Sequence, residues 1–256
     1  MKKYFFFDID NTLTVRTGER SVVPASTREA LRRLEERGHF TAIATGRSYA
    51  MAEGFFKELG FQNMVHDGGN GITISGKMLG IEPLDKEKCL ALIDECRRKG
   101  ILWALTPDDS MNRLSPFADF EEKAGDSYMI SRWVPDLDPA ELEKIHKVYV
   151  MVSPEEEGSL EALKALPHVR YCREYIFIEP TEKHKGIYRV LDYFGADPAD
   201  VVVFGDGYND LSMFRPEWIS IAMGNAVSEL KEKADYVTTD NAHDGIFHAC
   251  RHFGWI

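Results

Sequence analysis

Three short apolar runs, each ending at a polar or glycine position, dominate the hydrophobic pattern at the two ends of the chain. They cover residues 4–7, 40–44 and 201–204. Each run is too short for a helix and is rich in aromatic, β-branched or small residues. This pattern predicts strands that are buried on both faces, as in a parallel sheet.

Segments with helical spacing of apolar residues alternate with these strands. The pattern predicts helices over residues 24–38, 48–59, 186–194 and 227–233, a further helix from about residue 210, and a strand at 220–222. Gly38 and Gly60 stand where glycines commonly end helices. Alternation of strands and helices predicts an α/β fold whose core is a Rossmann-like, doubly wound parallel sheet.

The middle of the chain has a different pattern and predicts a second, smaller α/β domain with its own sheet. We expect helices over residues 86–99, 139–146 and 154–166, strands over 101–105 and 147–152, and a hairpin from 169–172 and 175–178. The predicted organisation is a core from residues 1–82 and 184–256, with residues 83–183 inserted between its two parts.

Composition narrows the range of partners. The 256 residues include 31 Lys and Arg against 42 Asp and Glu, a formal net charge of −11. Such an acidic surface argues against nucleic acid or an anionic membrane as a partner. No apolar stretch approaches the ~18 residues of a membrane span. The four cysteines match no zinc pattern, so we expect free thiols in a reducing cytoplasm. Independently of this, we expect a monomer or a homodimer.

Candidate chemistry begins directly after the first strand, with Asp8 and Asp10. On an extended backbone, side chains two residues apart point the same way, so both aspartates can face a site at the strand's carboxyl end. Open α/β sheets bind their ligands at that edge. One aspartate here would be an ordinary turn residue, but two at this spacing, followed by Asn11 and Thr12, are harder to explain as turn chemistry.

Three further segments add polar groups at predicted strand or helix ends. Thr45, Gly46 and Arg47 precede a helix, where free N–H groups bind anions, although capping is the commoner reason for a threonine there. Asp206, Asn209 and Asp210 follow the late strand, and clustered carboxylates favour a divalent cation. Lys185 precedes a predicted helix, where the helix dipole disfavours a lysine; a surface lysine and a phosphate ligand are equally good explanations.

Together these segments resemble the haloacid dehalogenase superfamily of phosphatases, and within it the Cof-type, sugar-phosphatase-like branch with a C2 cap. Asp8 to Thr12 are similar to the DxDxT signature, and residues 205–210 to the GDxxND loop. Thr45 and Lys185 are similar to the intervening hydroxyl and lysine motifs. Asn11 replaces a glycine common in this family, and asparagine tolerates the left-handed conformation.

The resemblance implies a Mg²⁺-dependent phosphatase acting on a small phosphorylated metabolite. It implies that Asp8 is the nucleophile and Asp10 the general acid and base. Phosphate would be bound by Thr45, Gly46, Lys185 and Asn209, and the metal by Asp8, Asp10, Asp206 and Asp210. Arg47 is a weaker candidate, as a substrate contact or as the partner of an acidic residue in the core.

Two other functions share these motifs. A phosphomutase or phosphotransferase would return the phosphate to an organic acceptor instead of water. A non-catalytic sensor of phosphorylated metabolites could lose its catalytic aspartates, yet all four are present. The cap residues that could contact a leaving group, each more simply explained as surface charge or cap core, are Trp103, Arg113, Arg132, Trp133, Arg173 and Tyr175.

Overall fold

The computed structural model describes residues 1–18, 20–170 and 172–256. The strands are β1 (Tyr4–Phe7), β2 (Val15–Thr17), β3 (Arg20–Val22), β4 (Phe40–Ala44), β5 (Met64–His66), β6 (Gly71–Ile74), β7 (Lys77–Ile81), β8 (Trp103–Thr106), β9 (Asn112–Ser115), β10 (Ile130–Trp133), β11 (Lys147–Val150), β12 (His168–Arg170), β13 (Ile176–Ile178), β14 (Val201–Gly205), β15 (Ile219–Ala222) and β16 (Tyr236–Val237). The helices are α1 (Ala25–Glu36), α2 (Tyr49–Glu58), α3 (Lys86–Lys99), α4 (Phe120–Ala124), α5 (Pro154–Glu157), α6 (Lys183–Phe194), α7 (Ser228–Lys233) and α8 (Gly245–His252). Helical spans as long and apolar as a bilayer crossing requires are absent from the described residues.

Two compact units divide the chain. The first comprises Met1–Arg47, Ala52–Gly80 and Glu182–Ile256, and the second Ser48–Met51 and Ile81–Thr181. The predicted core spans residues 1–82 and 184–256, whereas Ser48–Met51 and residues 81–82 group with the second unit here and Glu182 and Lys183 with the first. Lys183, which the predicted boundary assigned to the insert, therefore belongs to the first unit.

The first unit is built on an eight-stranded sheet of order β16-β15-β14-β1-β4-β5-β6-β7. The strands from β16 to β5 in this order pair in parallel, and β5 pairs with β6 in antiparallel fashion. Tyr4 and Phe6 pack in the same apolar cluster as Ile187 of α6, whereas the Phe5 ring contacts Trp255. All four residues of β1 are buried, and none of them is charged, as expected for a strand that is covered on both faces. The α/β fold class is confirmed.

The second unit has a six-stranded mixed sheet of order β10-β9-β8-β11-β13-β12. One face packs against α3, whose buried residues include Leu92 and Ile93. A second buried cluster contains Phe120 of α4, Tyr149 and Tyr175. The α3 helix begins and ends where the sequence predicts, because Asp85 caps its first turn and Gly100 adopts the left-handed conformation after its last.

Several predicted elements are wrong in length. The helix predicted over residues 139–146 is only the 3₁₀ turn Pro139–Glu141, and the one over 154–166 divides into α5 and a 3₁₀ turn, Ala162–Ala165. The strand predicted at 169–172 reaches Tyr171, which lies outside the described residues; β12 ends one residue earlier. Apolar spacing alone overestimated these helices, because helices in segments this short are only marginally stable; their apolar residues, such as Ile145 and Leu160, are nonetheless buried in the core.

Candidate active site

The register of the core sheet brings three sequence motifs to one edge. Phe7, the last residue of β1, pairs with Ile43 on one side and with Phe204 on the other. Asp8, Thr45 and Asp206 therefore follow the carboxyl ends of three adjacent parallel strands. This is the edge at which α/β sheets bind ligands. All three side chains are buried.

A cluster of carboxylates lies at this edge. Oxygen atoms of Asp8, Asp206 and Asp210 all lie within 4.8 Å of one another. Asp8 is 3% exposed, and Asp210 is fully buried. The Lys183 Nζ donates to Asp8 Oδ1 and to Asp210 Oδ1, each at 2.6 Å. Three buried carboxylates thus face one ammonium group, which leaves an excess of negative charge that a cation would balance.

The lysine in this cluster is not the one that the sequence motif suggested. Lys185 is exposed and pairs with Glu182 at 2.5 Å, on the surface of the same helix. The prediction failed because it began the helix at Gly186, whereas α6 begins at Lys183. Residues two apart on a helix point to nearly opposite sides, since each residue turns the chain by about 100°. When Lys183 faces the aspartates, Lys185 must face solvent.

Close packing of glycines holds α6 against the core. A Cβ on Gly186 would lie 2.4 Å from Val65 Cγ1 and 2.9 Å from the main-chain oxygen of Gly69. A Cβ on Gly69 would in turn lie 2.4 Å from the carbonyl oxygen of Glu182. Gly186 lies one helical turn after Lys183, so this contact sets how deeply the start of α6, with its lysine, enters the site.

The acidic loop after β14 is organised by Asp210. Its Oδ2 accepts hydrogen bonds from the main-chain N–H groups of Asp206 and Gly207, at 2.9 and 3.0 Å. Because Lys183 occupies its Oδ1, both oxygens have protein partners, and Asp210 anchors the loop as well as adding charge. Asp206 is held by Thr12, whose hydroxyl donates to Asp206 Oδ1 at 3.0 Å. Thr12 belongs to the first motif, but its partner was not predicted.

Asp10 has a different environment from Asp8. Asp8 is still extended, and the chain then turns over Ile9–Leu13, where Asp10 is non-helical and Asn11 is left-handed with φ 59°. Strand alternation therefore does not orient Asp10, although the expected conformation of Asn11 is confirmed. The Asp10 carboxylate is 49% exposed and forms a two-point pair with Arg47. The Arg47 Nε and Nη2 donate to it at 2.9 and 2.7 Å.

Main-chain hydrogen bonds from residues 66–68 hold the loop that carries Thr45 and Arg47 in place. The N–H of Asp67 donates to the Arg47 carbonyl at 2.8 Å, and the N–H of Gly68 to the Thr45 carbonyl at 3.2 Å. Asp67 adopts a left-handed conformation, φ 49°, and its carboxylate contacts the buried His66 ring at 2.7 Å. His66 and Asp67 thus support the Thr45 loop.

Burial and mutual repulsion determine the protonation of the carboxylate cluster. Burial raises the pKa of Asp8 well above its ordinary value, and the neighbouring Asp210 charge adds to this shift, while Lys183 opposes it. Burial and then the Asp210 charge raise the pKa of Asp206 to about 7. Burial alone would lower the pKa of Lys183, but Asp210 and Asp8 outweigh it and raise that pKa. The charge of Asp10 adds a smaller upward shift to the pKa of Asp8 and of Asp206.

The remaining candidates occupy varied positions. Asn209 is exposed and Gly46 is half-buried, both beside the cluster in sequence. In the second unit, Trp103, Arg113 and Tyr175 are buried in its core, whereas Arg132, Trp133 and Arg173 are exposed. The four cysteines are free thiols, as expected, and only Cys172 is partly exposed.

Comparison with known proteins agrees with this geometry. The family model for haloacid dehalogenase-like hydrolases matches residues 5–250. YkrA of Bacillus subtilis (strain 168) is 30% identical over 99% of this chain and 98% of its own. The 5-amino-6-(5-phospho-D-ribitylamino)uracil phosphatase YwtE of the same organism is 26% identical over 95% of both chains.

Similarity to a solved structure extends over the whole chain. The subclass IIB sugar phosphatase BT4131 superposes with a TM-score of 0.79 at 26% identity, covering 100% of both chains. Both units of this protein, and not the core alone, therefore have counterparts in that structure. The sequence motifs, the sheet-edge aspartates and these matches agree, and the chain belongs to the haloacid dehalogenase-like hydrolases as a phosphatase of the Cof type.

Proposed function

We propose that this protein hydrolyses a small phosphate monoester with the help of Mg²⁺, by transferring the phosphoryl group to Asp8. The observation that carries the proposal is the buried trio of Asp8, Asp206 and Asp210 with a single lysine among them. The negative charge of such a site is poorly balanced without ligands. It is well balanced when the site binds a divalent cation and an anionic substrate.

The donor set suits Mg²⁺ chemically. Hard carboxylate oxygens are its preferred protein ligands, and it usually binds one or two of them together with water and substrate phosphate. Asp8, Asp206 and the Asp10 carbonyl would hold the ion. Asp210, whose oxygens accept from Lys183 and two N–H groups, would act mainly by fixing the loop. When bound, the ion neutralises charge between the nucleophile and the phosphate.

The protein's own residues would divide the reaction into two steps. An Asp8 oxygen forms a bond to phosphorus while the bond from phosphorus to the leaving alcohol breaks, and Asp10 gives that alcohol a proton. Asp10 then takes a proton from the water that attacks the aspartyl-phosphate and restores Asp8. Lys183, Thr45, the N–H groups near Gly46 and Asn209 would hold the phosphoryl oxygens.

Arg47 would act in this scheme by orienting Asp10. A guanidinium that donates two parallel hydrogen bonds fixes a carboxylate more tightly than a single contact does. Its two-point contact with Asp10 therefore favours the positioning role over direct binding of substrate. The Arg47 side chain is still 27% exposed, so a substrate contact remains compatible with its position.

The substrate class rests on chemistry and on the named relatives. One relative is named as a phosphatase of a ribityl compound and another as a sugar phosphatase. We propose a sugar phosphate or a nucleotide- or cofactor-like phosphate monoester for this chain. A phosphomutase with the same aspartyl-phosphate is the second candidate, because Asp8 and Asp10 would serve both reactions.

Replacement of Asp8 tests the proposal. Asp8→Asn should abolish Mg²⁺-dependent hydrolysis of p-nitrophenyl phosphate, and acid-quenched wild-type enzyme should carry phosphate on Asp8. Circular dichroism should show an unchanged fold, because asparagine keeps the side chain's shape. Substantial turnover in the variant would refute the nucleophile assignment. Release of inorganic phosphate by the wild type with no acceptor present would favour hydrolysis over a mutase.

A further inference from the structure

Two asparagines in the loops after β15 and β16 contact the turn that carries Asp10. Asn225 follows β15, and Asn241 begins the 3₁₀ turn Asn241–His243 after β16. β14, β15 and β16 pair in parallel and continue the sheet outwards from β1. Because parallel strands end at a common edge, the loops after β15 and β16 reach the same edge as Asp8.

The turn that carries Asp10 closes at its base through its own main chain. The N–H groups of Leu13 and Thr14, at its end, donate to the carbonyls of its first residues at 3.2 and 3.0 Å. Asp10 and Asn11 form the tip and have non-helical conformations. These two bonds join the ends of the turn and do not involve the tip, so contacts from outside the turn help to fix the position of Asp10.

One contact with the tip comes from Asn225. Its Nδ2 donates to the Asn11 carbonyl at 2.9 Å, and its Oδ1 accepts from the N–H of Asn241 at 3.0 Å. Asn241 Nδ2 in turn donates to the Thr14 carbonyl at 2.7 Å. These three hydrogen bonds, here called the asparagine bridge, join the tip of the turn to the residue that follows it. A reversed Asn225 amide would place NH₂ against N–H and oxygen against carbonyl, so the direction of its bonds is fixed.

The two loops that form the asparagine bridge pack closely against each other. The N–H of Gly224 donates to the Thr239 carbonyl at 3.1 Å. A Cβ on Gly224 would lie 2.6 Å from the main-chain nitrogen of Asp240. Gly224 and Asp240 each precede one of the two asparagines. Only a residue without a side chain permits this approach, so main-chain contacts set the position of Asn225 relative to Asn241.

We propose that Asn225 and Asn241 are positioning residues for proton transfer, because they fix the main chain beside Asp10 while Arg47 fixes its carboxylate. This inference rests on the proposed role of Asp10 as the general acid and base. The Asp10 side chain is 49% exposed, so close packing does not hold it in place. Its contacts therefore decide where its proton lies relative to the leaving oxygen, and a displacement on the order of 1 Å lowers the rate of an aligned reaction about 10²-fold.

Alanine variants of the two asparagines test the proposal with two substrates that differ by one nitro group. Asn225→Ala removes two bonds of the bridge. It should lower kcat for phenyl phosphate about tenfold and kcat for p-nitrophenyl phosphate much less, because phenolate is the stronger base and gains more from a proton as it leaves. Asn241→Ala removes only the bond to Thr14 and should change the ratio of the two rates in the same direction. Circular dichroism checks the fold, and Asn241→Ala decides the question if Asn225→Ala does not fold.

Asn63→Ala is the matched control in the same unit. Asn63 Nδ2 donates to the Thr41 carbonyl at 3.1 Å, and its Oδ1 accepts from the N–H of Ser75 at 3.0 Å. Asn225 forms the same pair of bonds. Asn63 precedes β5 and Thr41 lies in the first half of β4, away from the edge that carries Asp8. Asn63→Ala should therefore lower thermal stability about as much as Asn225→Ala does, and leave the ratio of the two rates unchanged.

A double-mutant cycle with Asp10→Asn separates positioning from a general structural role. Where no proton is delivered, Asn225→Ala should no longer change the ratio of the two rates. An unchanged ratio in the folded asparagine variants, or a ratio that changes equally with and without Asp10, would overturn the proposal. If Asp10→Asn alone leaves the ratio unchanged, the proposed proton transfer fails and this inference falls with it. If Asp10→Asn changes the ratio and the asparagine variants do not, this inference alone fails.

Discussion

Replacement of Lys183 by methionine tests whether Lys183, and not Lys185, is the lysine of the active site. Methionine keeps much of the length of the side chain and removes its charge. In the folded protein the Lys183 ammonium donates to Asp8 and Asp210 at 2.6 Å each, and its side chain is 1% exposed. Lys183→Met therefore leaves the buried carboxylates with no positive partner at this position.

The size of the effect follows from burial. Removing one partner of a buried ion pair costs about 3–5 kcal/mol, because the remaining charge stays desolvated. Part of that cost is avoided if a carboxylate binds a proton, so the lower figure is the better expectation for the metal-free protein. Loss of one preorganised donor to a developing charge lowers kcat about 10²- to 10³-fold.

Lys185→Met is the matched control, two residues away on the same helix. Its side chain is 60% exposed and pairs with the exposed Glu182. Exposed pairs of this kind contribute about 0–1 kcal/mol, so stability and turnover should stay close to those of the wild type. The assays are urea unfolding with and without Mg²⁺ and steady-state hydrolysis of p-nitrophenyl phosphate.

The two variants give a clear criterion. We expect Lys183→Met to be weakly active and destabilised, and Mg²⁺ to restore part of its stability by supplying positive charge. Lys185→Met should be nearly normal in both respects. A large loss in Lys185→Met with little change in Lys183→Met would refute the assignment of the site lysine and the reasoning from helix geometry that supports it.

Two further substitutions test other parts of the site, and a third serves as a control. Asp10→Asn should slow hydrolysis of an alkyl phosphate by about 10²- to 10⁴-fold but that of p-nitrophenyl phosphate much less, because a good leaving group needs little protonation; equal losses would count against a proton-transfer role. Gly186→Ala should destabilise the protein by about 1–3 kcal/mol, since its Cβ meets Val65 at 2.4 Å. Gly54→Ala in α2, where a Cβ meets nothing within 4 Å, should instead stabilise it by about 0.4–1 kcal/mol, as thermal unfolding of both variants would show.

Sequence reasoning worked best where local pattern and tertiary environment agree. β1 and β4 were predicted without error because both faces of each strand are buried, which requires a continuous apolar run. It worked least well in the second unit, where one predicted helix is only a 3₁₀ turn and another divides into a short α-helix and a 3₁₀ turn. The helices and strands of this unit are short, and they pack against side chains that come from distant parts of the sequence.

By itself, the sequence determined the fold class, the inserted second unit and the meeting of Asp8, Thr45 and Asp206 at one sheet edge, because parallel strands end together. Only the tertiary structure decided which lysine enters the site, because the depth of α6 depends on the contact of Gly186 with Val65 and Gly69. It alone also paired Arg47 with Asp10. These contacts join residues that are far apart in the chain, so the local pattern of hydrophobic and polar residues does not predict them.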